Sequence, residues 1–306
     1  METRQLEYFL AVADELNFTR AAQSLFAVQS TVSAGIRALE TELGTTLFER
    51  STRTVALTVA GEALVPEARS VIEAVDRVRS IAVAARSGLR GRLRVGVFSN
   101  SDLIDFPGLM AAFSRDYPLV ELLLVASPNG STGLADDVRS GRIDVALMGL
   151  PDTELRGLTK LELLATYFHA VVPDAHPLAR ERSVSLERLS SERFVDTPRG
   201  FGNRVVIDRE FEARSLTRHV ATEVGDLSAV SSFVAAGLGV ALVPAKIVDS
   251  VVGTTIVPID GDPIVWKLSF VRRSTTRPSP AVTAFLDLVG QRPLTLHGPI
   301  VNYNER

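Results

Sequence analysis

The chain has 306 residues, of which 46% are hydrophobic and 23% are charged, a composition typical of a globular protein with more than one domain and without a membrane span or signal peptide, so a cytoplasmic location is predicted. It has no cysteine and only four histidines, none at metal-ligand spacing, which excludes thiolate chemistry and predicts no metal and no cofactor. The formal net charge is −3, so bulk charge does not indicate nucleic-acid binding.

Three helices are predicted near the N-terminus. Apolar residues from Leu6 to Leu16 recur every three to four positions, which predicts a first amphipathic helix. Thr19 is assigned as the N-cap of a second helix over 20–25, and a third helix is predicted over 29–43. The short link between the last two helices indicates a helix-turn-helix, whose second helix enters the major groove of DNA. Its outward-facing residues are expected to be Gln29, Ser30, Thr31, Ser33, Ala34 and Arg37.

Residues 47–58 follow as two predicted short strands around a polar turn, which together form a wing. Arg50 and Arg53 would lie at the phosphate backbone, where contacts position a protein without reading sequence. On pattern alone, the alternative is a structural three-helix unit with a solvated arginine pair. The predicted DNA-binding domain is 1–58.

A set of residues spread over this segment forms a recognisable signature, namely Phe18-Thr19-Arg20-Ala21-Ala22, Gln29, Ser33, Leu43-Gly44, Leu47-Phe48 and Leu57-Thr58-Val59-Ala60-Gly61. Through these residues the segment resembles the LysR-type transcriptional regulators (LTTR family). The resemblance implies DNA contacts by Thr19, Gln29, Ser30, Thr31, Ser33, Arg37, Arg50 and Arg53. The chain departs from the family at Val28, where a capping serine is usual, at Ser30, where proline is usual, and at Ala34-Gly35, where larger polar or basic residues often occur.

A long helix is predicted over 59–87, kinked near its start by Pro66. Its apolar residues alternate spacings of four and three, as in a coiled coil between protomers. The predicted dimerisation residues are Leu64, Ala68, Val71, Val75, Val78 and Ala82. The alternative is a helix packed on its own domain. A dimer would place two recognition helices at a fixed separation and would favour an inverted-repeat operator.

After a linker at 88–91, strand-like and helix-like segments alternate through 92–296, which predicts a parallel α/β sheet in two lobes. The segment resembles the regulatory domain of the same family, itself similar to periplasmic binding proteins of type 2, through Phe113-Ser114-Arg115-Asp116-Tyr117-Pro118 and Ala236-Gly237-Leu238-Gly239. The resemblance implies lobe I at 92–162 and 267–296, lobe II at 163–266, and a hinge where the chain crosses twice. The tail, 297–306, gives no prediction.

The predicted effector cleft is formed by loops that follow strands. Hydroxyl groups, an amide and helix N-termini favour an anionic ligand, and Arg199 can pair with a carboxylate. The predicted residues are Ser99, Asn100, Ser101, Ser131, Thr132, Thr197, Arg199, Gly200 and Phe201. Each serine is equally compatible with a helix cap, and Arg199 with a solvated loop charge.

The predicted fold is α/β overall, with an N-terminal all-α winged helix-turn-helix and a long linker helix before the two-lobed domain. The predicted function is a DNA-binding regulator, a homodimer or homotetramer, in which a small-molecule effector changes the geometry of the DNA-bound dimers. The alternative is a cytoplasmic small-molecule-binding α/β protein or an enzyme without DNA binding. An enzyme is disfavoured because Gly237-x-Gly239 leads into a predicted strand without the third glycine of a dinucleotide loop.

Overall fold

The computed structural model describes residues 1–50, 54–97, 104–245 and 251–291. The chain divides into an N-terminal unit, formed mainly by Met1–Gly91, and a C-terminal unit that begins at Arg92. None of the helices in these described ranges has the length and hydropathy that a membrane span requires.

The described residues of the N-terminal unit form four helices and a two-stranded wing. Its elements are α1 (Thr3–Glu15), α2 (Phe18–Ser24), α3 (Gln29–Leu43), β1 (Phe48–Arg50), β2 (Val55–Leu57) and α4 (Val59–Ser87). The core lies where α1, α2, α3 and the wing meet, and Phe48 packs there against Phe9 and Phe18 with ring centroids 5.5 and 5.8 Å apart. The strands β1 and β2 pair antiparallel, as expected of a wing.

The start of α2 differs from the sequence prediction. Asn17, rather than Thr19, is the N-cap, since its Oδ1 accepts hydrogen bonds from the backbone N–H groups of Thr19 and Arg20 at 2.9 and 3.0 Å. Both residue types suit an N-cap, and only the extended backbone of Asn17 separates them. The prediction for α3 is confirmed at both ends, and its N-cap Val28 makes no side-chain capping bond.

The helix α4 starts at the capping residue Thr58 and contains Pro66. Ala68 is 1% exposed and belongs to the core of its own unit, and Leu64 packs against that core. The prediction that Ala68 faces a partner protomer is therefore wrong, because this side chain is buried in its own unit. Leu64 is only partly buried and stays a predicted dimerisation residue. Further along, Val78 is 67% exposed. The side chain of Ala82 lies outside the described residues.

The C-terminal unit contains nine strands and six helices among its described residues. They are β3 (Gly91–Val97), α5 (Phe106–Asp116), β4 (Val120–Ala126), α6 (Gly130–Arg139), β5 (Val145–Met148), β6 (Leu158–Pro173), α7 (Leu186–Leu189), β7 (Arg193–Asp196), α8 (Gly202–Ala213), β8 (His219–Glu223), α9 (Val230–Ala235), β9 (Ala241–Pro244), β10 (Thr254–Val257), β11 (Val265–Arg273) and α10 (Pro280–Gln291).

The main sheet of this unit is mixed rather than parallel. Its strand order is β10-β6-β11-β5-β3-β4, with β9 also paired to β6, and β7 pairs with β8 in a separate two-stranded sheet. The pairs β3–β5 and β7–β8 are parallel, as predicted, but β6 and β11 pair antiparallel with each other and with β10, β9 and β5. Local sequence alternation does not reveal such returning strands, because their pairing is set by long-range contacts.

Strands β6 and β11 run through both predicted chain crossings. Residues of the two strands pair from Val265 opposite Tyr167 to Arg273 opposite Leu158. The register shifts between Leu268 and Ser269, so β6 has an additional residue, Leu163, at this point. A bulge of this kind bends the strand and increases its local twist. The predicted lobe boundaries thus fall within two paired strands and not in loops.

Candidate functional site

The front of α3 is an exposed polar surface. Gln29, Ser30 and Thr31 occupy its first turn and face solvent, as does Arg37 further along. Ser33 is buried, which contradicts the prediction that it faces outward. The reason is its position, since Ser33 borders the stripe of Val32, Ile36 and Leu39 that packs into the core. Thr19, in the first turn of α2, is also exposed.

The turn before α3 carries two exposed apolar residues, of which the sequence analysis noted Val28 only as a departure from the family pattern and did not note Phe26. Phe26 is 100% exposed, and Val28, which directly precedes α3, is 68% exposed. The signal was available in the sequence, because two bulky apolar residues stand in a turn between two helices. Together with the first turn of α3 they form the surface that we call the recognition surface, residues 26 and 28–31.

An open groove lies between the start of α1 and the front of α3. Arg4 donates a hydrogen bond from Nε to the Tyr8 hydroxyl group at 3.1 Å, and its guanidinium group lies 5.5 Å from the centroid of that ring. A Cβ atom on Gly35 would lie 2.5 Å from Cδ2 of Tyr8. Gly35 therefore lets the Tyr8 ring pack against α3, which gives a physical reason for one departure from the family pattern. The groove is lined by Glu2, Arg4, Gln5, Tyr8, Ser30, Thr31, Ala34 and Gly35.

In the C-terminal unit, the segment after β7 packs against the start of α6 and the end of β5. The backbone N–H group of Thr132 donates to the carbonyl group of Gly200 at 2.9 Å. Cβ atoms added to Gly130 and Gly202 would lie 2.7 Å from the Phe201 ring and 2.6 Å from the Gly149 carbonyl oxygen. The structure thus brings together the two predicted effector loops at 131–132 and 197–201. In this arrangement, the Gly200 carbonyl oxygen already accepts from a backbone N–H group in the first turn of α6.

Two of the predicted effector residues are buried. Thr197 is 0% exposed, and its hydroxyl group is hydrogen-bonded to Asn203 at 2.9–3.1 Å. Ser131 is also buried, whereas Thr132 and Arg199 are exposed. The side chains of Thr197 and Ser131 are thus packed inside the unit, and that of Thr197 is also used in internal hydrogen bonds. Their assignment to the effector site stays a prediction.

Some predicted site residues lie outside the described residues. These are Arg53, Ser99, Asn100 and Ser101, together with the side chain of Arg50.

A buried ionic cluster holds the base of the segment after β7. Asp196 lies 2.6 Å from Nη1 of Arg218 and 3.8 Å from Nε of Arg204, and each of these side chains is about 5% exposed or less. Arg204 also donates to the carbonyl group of Thr197 at 2.9 Å. Burial raises the pKa of the Asp196 carboxyl group from its ordinary value, and the two arginines oppose that shift.

The aromatic rings of Phe194 and Phe211 flank the Arg218 guanidinium group, with centroids 5.1 and 5.5 Å away. Rings in these positions attract a cation by their quadrupoles and exclude water. The cluster therefore combines packing and charge, and it fixes β7, β8 and α8 relative to one another.

Comparison with known proteins identifies both parts of the chain. Residues 3–62 match the bacterial regulatory helix-turn-helix protein model of the lysR family, and residues 86–293 match the LysR substrate binding domain. The chain belongs to the LysR family. The resemblance seen in the sequence is thus confirmed, as is the predicted fold class. This LysR-family protein is a DNA-binding transcriptional regulator with an effector-binding domain, not an enzyme.

Individual relatives cover nearly the whole LysR-family chain. The RuBisCO operon transcriptional regulator of Allochromatium vinosum is 31% identical over 297 residues, which are 96% of this chain and 97% of that protein. Full-length OxyR from Pseudomonas aeruginosa is 26% identical, with a TM-score of 0.70 over 94% of this chain and 97% of its own. Full-length CbnR, solved in complex with its target DNA, is 26% identical, with a TM-score of 0.56 over 95% of this chain and 99% of its own.

Proposed function

We propose that this regulator works in the cytoplasm as a homodimer, or as a tetramer of two dimers, on an inverted-repeat operator. A small carboxylate or similar anion, bound between the lobes, changes the geometry of the DNA-bound dimers. The observation that carries the proposal is the exposed polar first turn of α3 in a LysR-type helix-turn-helix. The cytoplasm is proposed because it is where a regulator of this family meets DNA.

The proposed base-reading residues are Gln29, Ser30 and Thr31. A glutamine amide can pair with the major-groove edge of adenine, and hydroxyl groups can bond to several bases. Arg37 extends this surface, while Thr19 and the wing arginines Arg50 and Arg53 are proposed to contact phosphate. Ser33, being buried, contributes to DNA binding only through its position in α3.

The proposed dimer contact uses the distal part of α4. Val71 and Val78 are exposed there, and Val75 is partly exposed, so an apolar stripe continues beyond the point where α4 leaves its own core. Apolar residues at alternating spacings of three and four are the pattern by which two helices pack in a coiled coil. Such a dimer relates two recognition helices by a two-fold axis, which an inverted repeat matches.

The proposed effector site lies where the segment 197–201 meets α6. The exposed Arg199 supplies a guanidinium group, and the Thr132 N–H group supplies a donor that Gly200 now occupies. A bound carboxylate would compete with the Gly200 carbonyl group for that donor and so move the two lobes relative to each other. The β6–β11 ladder, with its bulge at Leu163, is the proposed hinge.

The experiment is fluorescence anisotropy with the full chain on the DNA upstream of its own gene and on a scrambled duplex, each across a salt series. Wild-type protein is expected to prefer the upstream DNA. In Gln29→Ala, the affinity for the upstream DNA relative to the scrambled duplex should fall by roughly 5- to 150-fold, which corresponds to about 1–3 kcal/mol for a good bidentate contact. The matched control Ser33→Ala removes a buried hydroxyl group from the same helix and should keep most of the preference.

Two results would contradict the proposal. Equal, weak and steeply salt-dependent binding to both duplexes would indicate phosphate contact alone. Loss of preference in Ser33→Ala but not in Gln29→Ala would mean that a different face of α3 reads the bases. Effector action is tested by reciprocity, since any carboxylate that alters DNA affinity must bind with altered affinity when DNA is present.

A further inference from the structure

The turn between α2 and α3 holds a phenylalanine in the left-handed backbone region. Phe26 has a φ of 52°. Two backbone hydrogen bonds fix this geometry, from the N–H group of Phe26 to the Gln23 carbonyl group at 3.1 Å and from that of Ala27 to the Ala22 carbonyl group at 2.9 Å. This is a Schellman arrangement, in which glycine or asparagine usually occupies the left-handed position. The turn therefore requires the conformation, but local stability does not favour phenylalanine there.

The exposure of the Phe26 ring adds to this cost. The ring is 100% exposed, so it contributes nothing to the core of the N-terminal unit. A single exposed apolar side chain is common on protein surfaces. Phe26 differs because the left-handed backbone and the full exposure coincide at one residue. Among the described residues, the other non-glycine residues with positive φ are Leu16 and Ser215.

Phe26 and Val28 are continuous with the polar residues that start α3, as parts of the recognition surface. A duplex that receives the first turn of α3 must also approach the turn that leads into it. DNA presents apolar groups at such a position, namely the methyl groups of thymine in the major groove and the deoxyribose rings of the backbone. Phenylalanine is among the side chains that contact the thymine methyl group.

We propose that Phe26 makes an apolar contact with DNA beside the bases read by α3, and that Val28 extends this contact. The inference rests on the proposed function, because it requires α3 to lie in the major groove. In the complex, the ring is removed from water and this burial offsets the strain of the turn. The strained turn at Phe26 thus lowers the stability of the free N-terminal unit, and the same residue gains a contact with DNA. This combination is common for strained residues at binding sites.

The test compares Phe26→Asn with Leu16→Asn in the full chain. Asparagine tolerates the left-handed region, so Phe26→Asn is expected to raise the Tm of the N-terminal unit by a few degrees. Leu16→Asn relieves the same kind of strain at the end of α1 and should raise the Tm by less, since Leu16 is half-buried. Calorimetry measures both, and the fluorescence of the only tryptophan, Trp266, identifies the transition of the C-terminal unit.

DNA affinity separates the two variants. Phe26→Asn is expected to bind the upstream DNA about 5- to 20-fold more weakly than wild type, with an unchanged salt slope because no charge is altered. Leu16→Asn should bind as wild type does. Phe26→Leu, which keeps an apolar side chain in the same turn, should retain more affinity than Phe26→Asn.

A duplex made with deoxyuridine in place of thymidine distinguishes the two apolar groups on DNA. If the ring contacts a methyl group, wild type loses about fourfold for that methyl and Phe26→Asn loses nothing further at that position. If the ring contacts deoxyribose, the ratio between wild type and Phe26→Asn is the same on both duplexes.

Unchanged DNA affinity in Phe26→Asn, with its Tm raised, would overturn this inference. The proposed function would then still stand if Gln29→Ala loses its preference for the upstream DNA. If wild type itself shows no preference, the proposed function fails and the inference fails with it.

Discussion

The two predicted binding regions differ in how their polar side chains are engaged before any partner binds. At the front of α3, Gln29, Ser30 and Thr31 face solvent on one helix. After β7, by contrast, Thr197 is fully buried, and its hydroxyl and carbonyl groups are hydrogen-bonded to Asn203 and Arg204. The first region is an exposed surface that can dock without rearrangement. The second is integrated into its unit, so a ligand there must disturb existing contacts.

This difference matches what each region is proposed to do. A DNA duplex is too large to enter a fold and can meet only what the surface already presents. A small effector can be enclosed, and it shifts a conformational equilibrium only if it interacts differently with the two states. The contact between Gly200 and Thr132 is one that an anion would disturb.

The largest effect is expected from Asp196→Ala, in the buried ionic cluster at the base of the segment after β7. Removal of this carboxylate leaves Arg218 and Arg204 with Asp208 as their remaining shared partner. Removing one partner of a buried ion pair typically costs about 3–5 kcal/mol. We expect a loss of that size in the free energy of unfolding of the C-terminal unit. Urea denaturation followed by the fluorescence of Trp266 measures it, because that residue lies in β11.

The control is Arg209→Ala, in α8 of the same unit. Arg209 forms an exposed ion pair with Glu154, and such pairs contribute less than about 1 kcal/mol. Similar losses in Asp196→Ala and Arg209→Ala would show that the buried cluster is no more important than a surface pair. The contrast between the two regions would then be one of exposure only.

The sequence predicted the helices and loops of both regions, but not which neighbouring groups their side chains contact. The bounds of α3 were predicted residue for residue, because its apolar periodicity is strong and Gly44 marks its end. Asn17 and Thr19 compete for one capping role, and only backbone geometry decides between them. Ala68 fits a heptad seam equally well when it faces its own core.

The burial of Thr197 was not predictable for a related reason. Its hydroxyl and carbonyl groups bond to Asn203 and Arg204, six and seven residues further on. The neighbouring Asp196 pairs with Arg218, which directly precedes β8 and comes close only when β7 and β8 pair. A hydroxyl group after a strand has the same sequence signature whether it faces a cleft or an internal amide. Pattern thus located the loop correctly but could not assign its side chains to solvent or core.

A smaller effect is expected from Gly202→Ala, at the position where α8 closely approaches the end of β5. The added Cβ would lie 2.6 Å from the carbonyl oxygen of Gly149, which is backbone and cannot rotate away. We expect a loss of about 1–3 kcal/mol in the stability of the C-terminal unit, as in other overpacked sites. Thermal unfolding followed by Trp266 is again the measurement, since its Nε1–H group donates to the same carbonyl at 3.0 Å.

Gly290→Ala is the matched control for this substitution. Gly290 lies in the last turn of α10, and an added Cβ meets nothing within 4 Å. Alanine is the better helix former by up to about 1 kcal/mol, so this variant should be as stable as wild type or slightly more stable. A Gly202→Ala variant that matches Gly290→Ala would mean that the contact between 197–202 and β5 is loose enough to yield without cost.

The smallest expected effect is a response to pH that is confined to the buried side. All four histidines lie beyond residue 91, and burial lowers the pKa of His169 in β6 below its ordinary value of 6.5. A lowered pKa means that the folded state disfavours the protonated form. The neutral His169 ring therefore contributes fully to stability above pH about 6.5. This contribution is lost as the pH falls from there through the pKa that His169 has in the folded state.

Thermal unfolding of the C-terminal unit, followed by Trp266, should thus shift to lower temperature as the pH is reduced below about 6.5. His169→Gln should reduce this slope, because it removes the buried imidazole whose pKa is lowered. The calorimetric transition of the N-terminal unit, which has no histidine, should change less over the same range. An equal shift in both transitions would assign the response to carboxylates spread over the chain and would remove the proposed asymmetry between the two regions.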